Sequence, residues 1–145
     1  MTAPNAPQII HATTVSHHGR AAVILGPSGA GKSSLALQLI SLGAELVSDD
    51  RTVLSKVGGI LRADTPEAIA GLIEARGVGL LRIGHTGAVP VALVIDLSQT
   101  ETLRLPHPHT HDLCGLSFPC LHNAPSPHFA AAILFCLSGS VNHNA

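Results

Sequence analysis

Apolar residues recur along this chain with two different periods, and the places where the period changes mark its elements. Residues 11–15 read as a strand and 21–25 are an apolar run of strand length, and Ser16, His17, His18, Gly19 and Arg20 between them read as a turn, which predicts a hairpin. Beyond residue 33 the spacing becomes helical. Leu35, Ala36, Leu39, Ile40 and Leu42 fall on one face of a predicted helix over 34–42, and Gly43 is placed to end it. Residues 44–48 return to a strand that delivers Asp49 and Asp50 at its end, and the runs 52–56 and 60–63 flank Gly58 and Gly59, a tight-hairpin signal.

Thr65, Pro66 and Glu67 carry a helix-start signature that Gly71 confines to a turn or two. Residues 72–81 set Glu74, Arg76, Gly77 and Gly79 among apolar residues, which predicts a charged loop rather than a core strand. A strong buried strand is predicted over 89–95, ending at Asp96. Residues 105–127 are rich in Pro and His and predict an irregular, mobile loop. Ser126 and Pro127 are then expected to cap a closing helix over 128–137, with 141–145 fraying.

Composition narrows the class. The 145 residues suit one domain, 1–145. Charged residues are 12% of the chain against about 25% in an average soluble protein. With Trp and Tyr absent, the core must be built from Ala, Val, Leu and Ile, and so bland a surface implies apolar area covered by a partner or by another subunit of a homo-oligomer. A net charge of −1 gives no basic footprint for nucleic acid or for an anionic membrane surface. Residues 1–8 have no basic start and no apolar h-region, and the longest apolar runs are too short to span a bilayer, so the expected location is cytoplasmic. Three cysteines without C-x-x-C spacing predict reduced thiols.

The chemistry centres on Gly26, Pro27, Ser28, Gly29, Ala30, Gly31, Lys32 and Ser33, which fit the phosphate-binding pattern G-x-x-x-x-G-K-[ST] between a predicted strand and a predicted helix. Glycines let backbone N–H groups turn inward on phosphates, and the following helix adds the positive end of its dipole. Lys32 is then expected on the β/γ-phosphates of ATP, and the Ser33 hydroxyl on Mg²⁺. The predicted fold is therefore α/β: a P-loop kinase-like domain, a mixed sheet carrying the P-loop helix and a C-terminal helix. Transfer also needs an acid near the metal. Asp96 competes for that role with the pair Asp49 and Asp50, of which strand alternation would let only one face the phosphates.

The blocks Ile10 to Val15, Leu46 to Asp50 and Leu72 to Gly79, in order around the phosphate-binding motif, resemble the catalytic domain of bacterial HPr kinase/phosphorylase. That resemblance covers most of residues 9–83. It implies an ATP- and Mg²⁺-dependent protein kinase acting on a serine of HPr or a similar small phosphocarrier protein of a phosphotransferase system. It also implies roles: Asp50 as proton acceptor, Glu74 as metal ligand beside Ser33, His11 and Lys32 as catalytic groups, and Arg104 as an arginine neutralising charge on the phosphoryl group. Arg76 lies in the same signature and faces either the nucleotide or the partner. Longer members carry an additional N-terminal domain that this chain does not show, so the resemblance is to a short, catalytic-domain-only form. The basic loop associated with phosphorolysis in longer members is replaced by Pro125, Ser126, Pro127 and His128, and no Lys or Arg follows Arg104, which favours kinase over phosphorolytic activity.

Two other functions fit the motif: a small-molecule kinase, and a nucleotide-binding regulatory module without turnover. Keeping Lys32, Asp50 and Glu74 together argues for turnover. His107, His109, His111, Cys114, Cys120 and His122 are metal-ligating types, but their spacing matches no standard zinc pattern and the expectation is an ordinary loop.

Overall fold

A computed structural model describes residues 6–139. The elements are β1 (Gln8–His11), β2 (Thr13–His17), β3 (Arg20–Leu25), α1 (Lys32–Ser41), β4 (Glu45–Ser48), β5 (Arg51–Val57) and β6 (Ile60–Asp64). A short 3-10 turn at Glu67–Ile69 follows, then β7 (Leu72–Ala75), β8 (Gly79–Arg82), β9 (Val89–Thr100), β10 (His109–Leu113), β11 (Leu116–Asn123) and α2 (Phe129–Leu137). The expected fraying of 141–145 lies outside the described residues. Among the described residues no helix is long and apolar enough to cross a membrane.

The architecture is mixed α/β, with one curled sheet in the order β1-β5-β6-β9-β3-β2-β4, to which β11 and β10 are added beside β9. Parallel pairing joins β9 to β3 and to β11, and the other pairs are antiparallel. Alternation along β3 divides the core in two. Ala22 and Ile24 join the cluster covered by the two helices, whereas Ala21 and Val23 join a second cluster with Leu54, Leu61 and Leu113 from the curled hairpins. Helix α1 contributes Leu35, Ala36 and Leu39 and α2 contributes Ala130, Ile133, Leu134 and Leu137, the i, i+3, i+4, i+7 spacing of a buried helix face. Arg20 donates to the carbonyl of Leu137 (3.0 Å), a cation at the C-terminal end of α2.

The predicted first strand is in fact two. β1 pairs with β5, and β2 pairs with β3 and β4. The fully buried Ala12 sits at the change of partner and donates its N–H to the carbonyl of Asp50 (3.1 Å). Thus β1–β2 and β4–β5 form one long antiparallel pair bent at a shared elbow, where Asp50 has φ +69°.

Three further expectations are corrected. Residues 72–81 form the β7–β8 hairpin and not a charged loop: Ile73 and Ala75 are buried while Glu74 points out, and Gly77 (φ +82°) makes the turn. Residues 105–127 are largely ordered as the β10–β11 hairpin, whose two turn residues Cys114 and Gly115 both have positive φ as a type I′ turn requires. Pro119, one of the prolines of that stretch, sits inside β11. Ser126 does not cap α2 with its side chain. The helix starts at Phe129, whose N–H reaches the Ser126 carbonyl at 3.1 Å, and the Ser126 hydroxyl lies against the His128 ring.

Candidate functional site

Where β3 ends, the chain turns through residues 26–31 into α1. Gly26 (φ +152°), Gly29 (φ +86°) and Gly31 (φ +99°) all hold backbone conformations that side chains disfavour. At Gly26 a Cβ would also press within 3.1 Å of Ala30 and 3.2 Å of Leu97. Helix α1 has no side-chain cap and no acidic residue in its first turn, so its positive end faces the loop without a counter-charge of its own. Lys32, the first residue of α1, is buried, and its Nζ donates to the carbonyls of Gly26 (2.7 Å) and Pro27 (3.2 Å).

Opposite this loop lies the elbow between β4 and β5. Buried Asp49 ties three elements together. One carboxylate oxygen accepts from the hydroxyls of Thr13 (2.9 Å) and Ser33 (2.6 Å), and the other accepts from the backbone N–H of Glu74 (3.0 Å). Asp50 is exposed, and its Oδ1 lies 2.7 Å from Nε2 of His11. Both partners of that pair are half-exposed or more, so its value is in orientation rather than stability. Buried hydroxyls brace the bend: Thr13 Oγ1 accepts from the Asp50 N–H (3.1 Å), Thr52 donates to the Ala12 carbonyl (2.9 Å), and Ser48 donates to the Arg51 carbonyl.

Loop, elbow and the β7–β8 hairpin enclose a cleft of about 650 Å³. Its walls include Ser28, Gly29, Gly31, Lys32 and Ser33, then Asp49, Asp50 and Arg51, then Glu74, Arg76 and Leu80. A second cleft of about 190 Å³ lies on the other side of the loop, between Gly31, Ser34 and Gln38 and the chain around Asn123 and Ser126.

Most of the residues singled out from sequence therefore converge: Lys32, Ser33, Asp50 and Glu74 share one cleft, and His11 reaches it through Asp50. Arg104 does not; it is exposed in the segment after β9 and is absent from the cleft walls. Asp96 is also outside. It lies within β9, which runs on to Thr100, and its carboxylate accepts from the N–H and hydroxyl of Ser98. The alternation rule placed Asp49 and Asp50 on opposite faces, yet both line the cleft, because the left-handed φ of Asp50 breaks the strand period. Sequence reasoning weighed Asp49 only as an alternative to Asp50 for the acid near the metal, and gave no role to Thr13 or Arg51. Adjacency to Asp50 was the one available signal for Arg51.

Residues 5–102 match the family model described as the HPr Serine kinase C-terminal domain. The chain belongs to that family. Among curated HPr kinase/phosphorylases, that of Thermoanaerobacter sp. (strain X514) is 43% identical over 97 residues, which are 63% of this chain and 32% of that one. The HPr kinase/phosphorylase of Bordetella pertussis (strain Tohama I) is 38% identical over 120 residues, 74% of this chain and 39% of that protein. This chain spans about a third of the length of the curated relatives it matches. The solved structure of the Hpr(Ser) kinase/phosphatase from Coxiella burnetii shares the fold, with a TM-score of 0.78 over 91% of this chain and 88% of that one at 24% identity. The segment matched to the HPr kinase family contains His11, the glycine-rich loop, the elbow and Glu74, and stops two residues before Arg104.

Proposed function

We propose that this chain binds ATP with Mg²⁺ in the larger cleft and transfers the γ-phosphoryl group to a serine hydroxyl of a small phosphocarrier protein of the HPr class. The observation that carries this is the meeting of Lys32, Ser33, Asp49, Asp50 and Glu74 around one cleft beneath a glycine-rich loop at a helix N-terminus. Serine and carboxylate oxygens are the donor set a hard cation takes, so Ser33 and Glu74, backed by Asp49, fit Mg²⁺. That ion, when bound, would neutralise charge developing between the β- and γ-phosphates.

The protein's own steps follow from geometry. Loop N–H groups and the first turn of α1 would hold the phosphates, and the Lys32 ammonium would leave the Gly26 and Pro27 carbonyls for the phosphate oxygens. Asp50 would take the proton of the attacking serine hydroxyl, with His11 holding its carboxylate in orientation. Arg51 and Arg76 stand in the cleft wall as counter-charges, whereas Arg104 would need a movement of its segment to take part.

The test is to incubate the purified chain with labelled ATP, Mg²⁺ and HPr. Label should appear on a serine of the carrier, vanish with Lys32→Ala, fall about 10²-fold or more with Asp50→Asn, and persist with Asp96→Asn. ATP binding without transfer would reduce the protein to a nucleotide-binding module. An active Lys32→Ala variant would refute the site itself.

A further inference from the structure

Outside both clefts, the end of β9 and the β10–β11 hairpin bring together Glu101, His109 and His122. Their ligand atoms all lie within 4.8 Å of one another, and all three residues are partly buried, the Glu101 side chain being only 12% exposed. His109 and His122 share one face of the hairpin because His109 is in register with Cys120, two residues before His122. Their rings lie 3.9 Å apart at 13°.

Glu101 is set in place before anything binds. Its backbone N–H donates to the Asn123 carbonyl (2.8 Å), and its Oε2 accepts from the N–H groups of Thr102 (3.0 Å) and Leu103 (3.1 Å). Oε1 is thereby aimed at Nε2 of His109, 2.9 Å away. Outer hydrogen bonds that fix a carboxylate while leaving one oxygen toward imidazole nitrogens are the support that metal ligands ordinarily receive.

An ordinary ion pair would need only Glu101 and His109. The second imidazole, stacked on the first and within ligand distance of the carboxylate, has no part in such a pair and completes a two-nitrogen, one-oxygen set. Imidazoles with one carboxylate favour zinc and its first-row neighbours over Mg²⁺ or Ca²⁺.

We propose that Glu101, His109 and His122 form a binding site for a zinc-class divalent ion, which ties the end of β9 to both strands of the β10–β11 hairpin. One ring must tilt out of the stack, because two near-parallel planes 3.9 Å apart cannot both aim a nitrogen at an ion about 2.1 Å away. The remaining coordination position is left to water. Bound metal fixes residues 102–108, the segment that carries Arg104.

The experiment uses the full chain, stripped with chelator and titrated with Zn²⁺ by calorimetry, and with Co²⁺ by visible absorption. The expected result is one ion per chain, with affinity reduced about 10–100-fold by His109→Ala or His122→Ala. The neighbouring surface pair His17 and His18, whose rings lie 4.3 Å apart, provides the control: His17→Ala/His18→Ala should leave binding intact. On the unsubstituted protein, Zn²⁺ should move the imidazole resonances of His109 and His122 ahead of all others, a readout independent of whether the variants fold. Absence of stoichiometric binding would overturn the proposal, as would binding undiminished in the His109/His122 variants, loss of binding in the His17/His18 control, or resonance shifts centred on other histidines.

Discussion

Replacing Asp49 by alanine removes one acceptor from three donors at once, and each loss can be sized. The Thr13 hydroxyl is fully buried and loses its 2.9 Å acceptor, and the Glu74 N–H loses its 3.0 Å acceptor. An orphaned donor costs about 1–3 kcal/mol. Ser33, half-exposed, turns to water at little cost. Relief of the buried carboxylate's own desolvation offsets part, leaving about 2–5 kcal/mol of lost stability, or about 6–15 °C in Tm at about 3 °C per kcal/mol for a chain of this size. Asp49→Asn keeps one acceptor oxygen for Thr13 and Ser33 but turns an amide nitrogen toward the Glu74 N–H, so it should lose about 1–3 kcal/mol. Thermal unfolding followed by circular dichroism, without nucleotide, measures both. The order parent, Asn, Ala is the expectation. An alanine variant melting within about 1 °C of the parent would show that Asp49 does not join β2, α1 and β7 in solution.

Gly71 and Gly87 make a contrasting pair. An alanine at Gly71 meets φ +77° and the backbone carbonyl of Ile83 at 2.9 Å, whose own N–H already bonds to the Gly71 carbonyl, so urea denaturation should show a loss of about 2–4 kcal/mol. At Gly87 the closer obstacle is the carboxylate of Asp64, which can rotate away at the cost of its bond to the Thr65 N–H, so the loss should be about 1 kcal/mol; the opposite order would refute the steric reasoning. Burial, assisted by the charge of Asp96, pushes the Cys120 thiol up to about 11. At pH 8 only about one Cys120 in 10³ is then a thiolate, and the fraction rises tenfold per pH unit, so iodoacetamide mapped by mass spectrometry should label Cys120 last and faster as pH climbs; equal rates at Cys114 and Cys120 would contradict this.

What could be read from the sequence is local. The strand, glycine-rich loop and helix over residues 21–42 follow from residues close in the chain, as does the Gly58–Gly59 hairpin, and the structure places them within a residue or two of expectation. The β7–β8 and β10–β11 hairpins depend on distant partners. Ile73 is apolar because it packs under α1, and β11 is a strand because β9 lies beside it. For the candidate site, the meeting of Lys32, Ser33, Asp50 and Glu74 at one cleft was legible by motif and resemblance. The part played by Asp49 was hidden, because a single left-handed residue at Asp50 cancels the period on which its side-chain direction was judged.

The elbow has a mechanical consequence. His11 and Asp50 stand where two strand pairs pass from one half of the sheet to the other, while Lys32 and Ser33 ride on a helix packed against the first core alone. The second core, through Leu54 and Leu61, presses on the arm of the elbow that begins just after Asp50. Repacking that core would therefore act as a lever on the distance between the Asp50 carboxylate, proposed above as the proton acceptor, and the glycine-rich loop proposed to hold phosphate. Two populations of substitutions should thus exist in this fold: those under the helices, felt in nucleotide affinity, and those under the curled hairpins, felt in turnover at unchanged affinity.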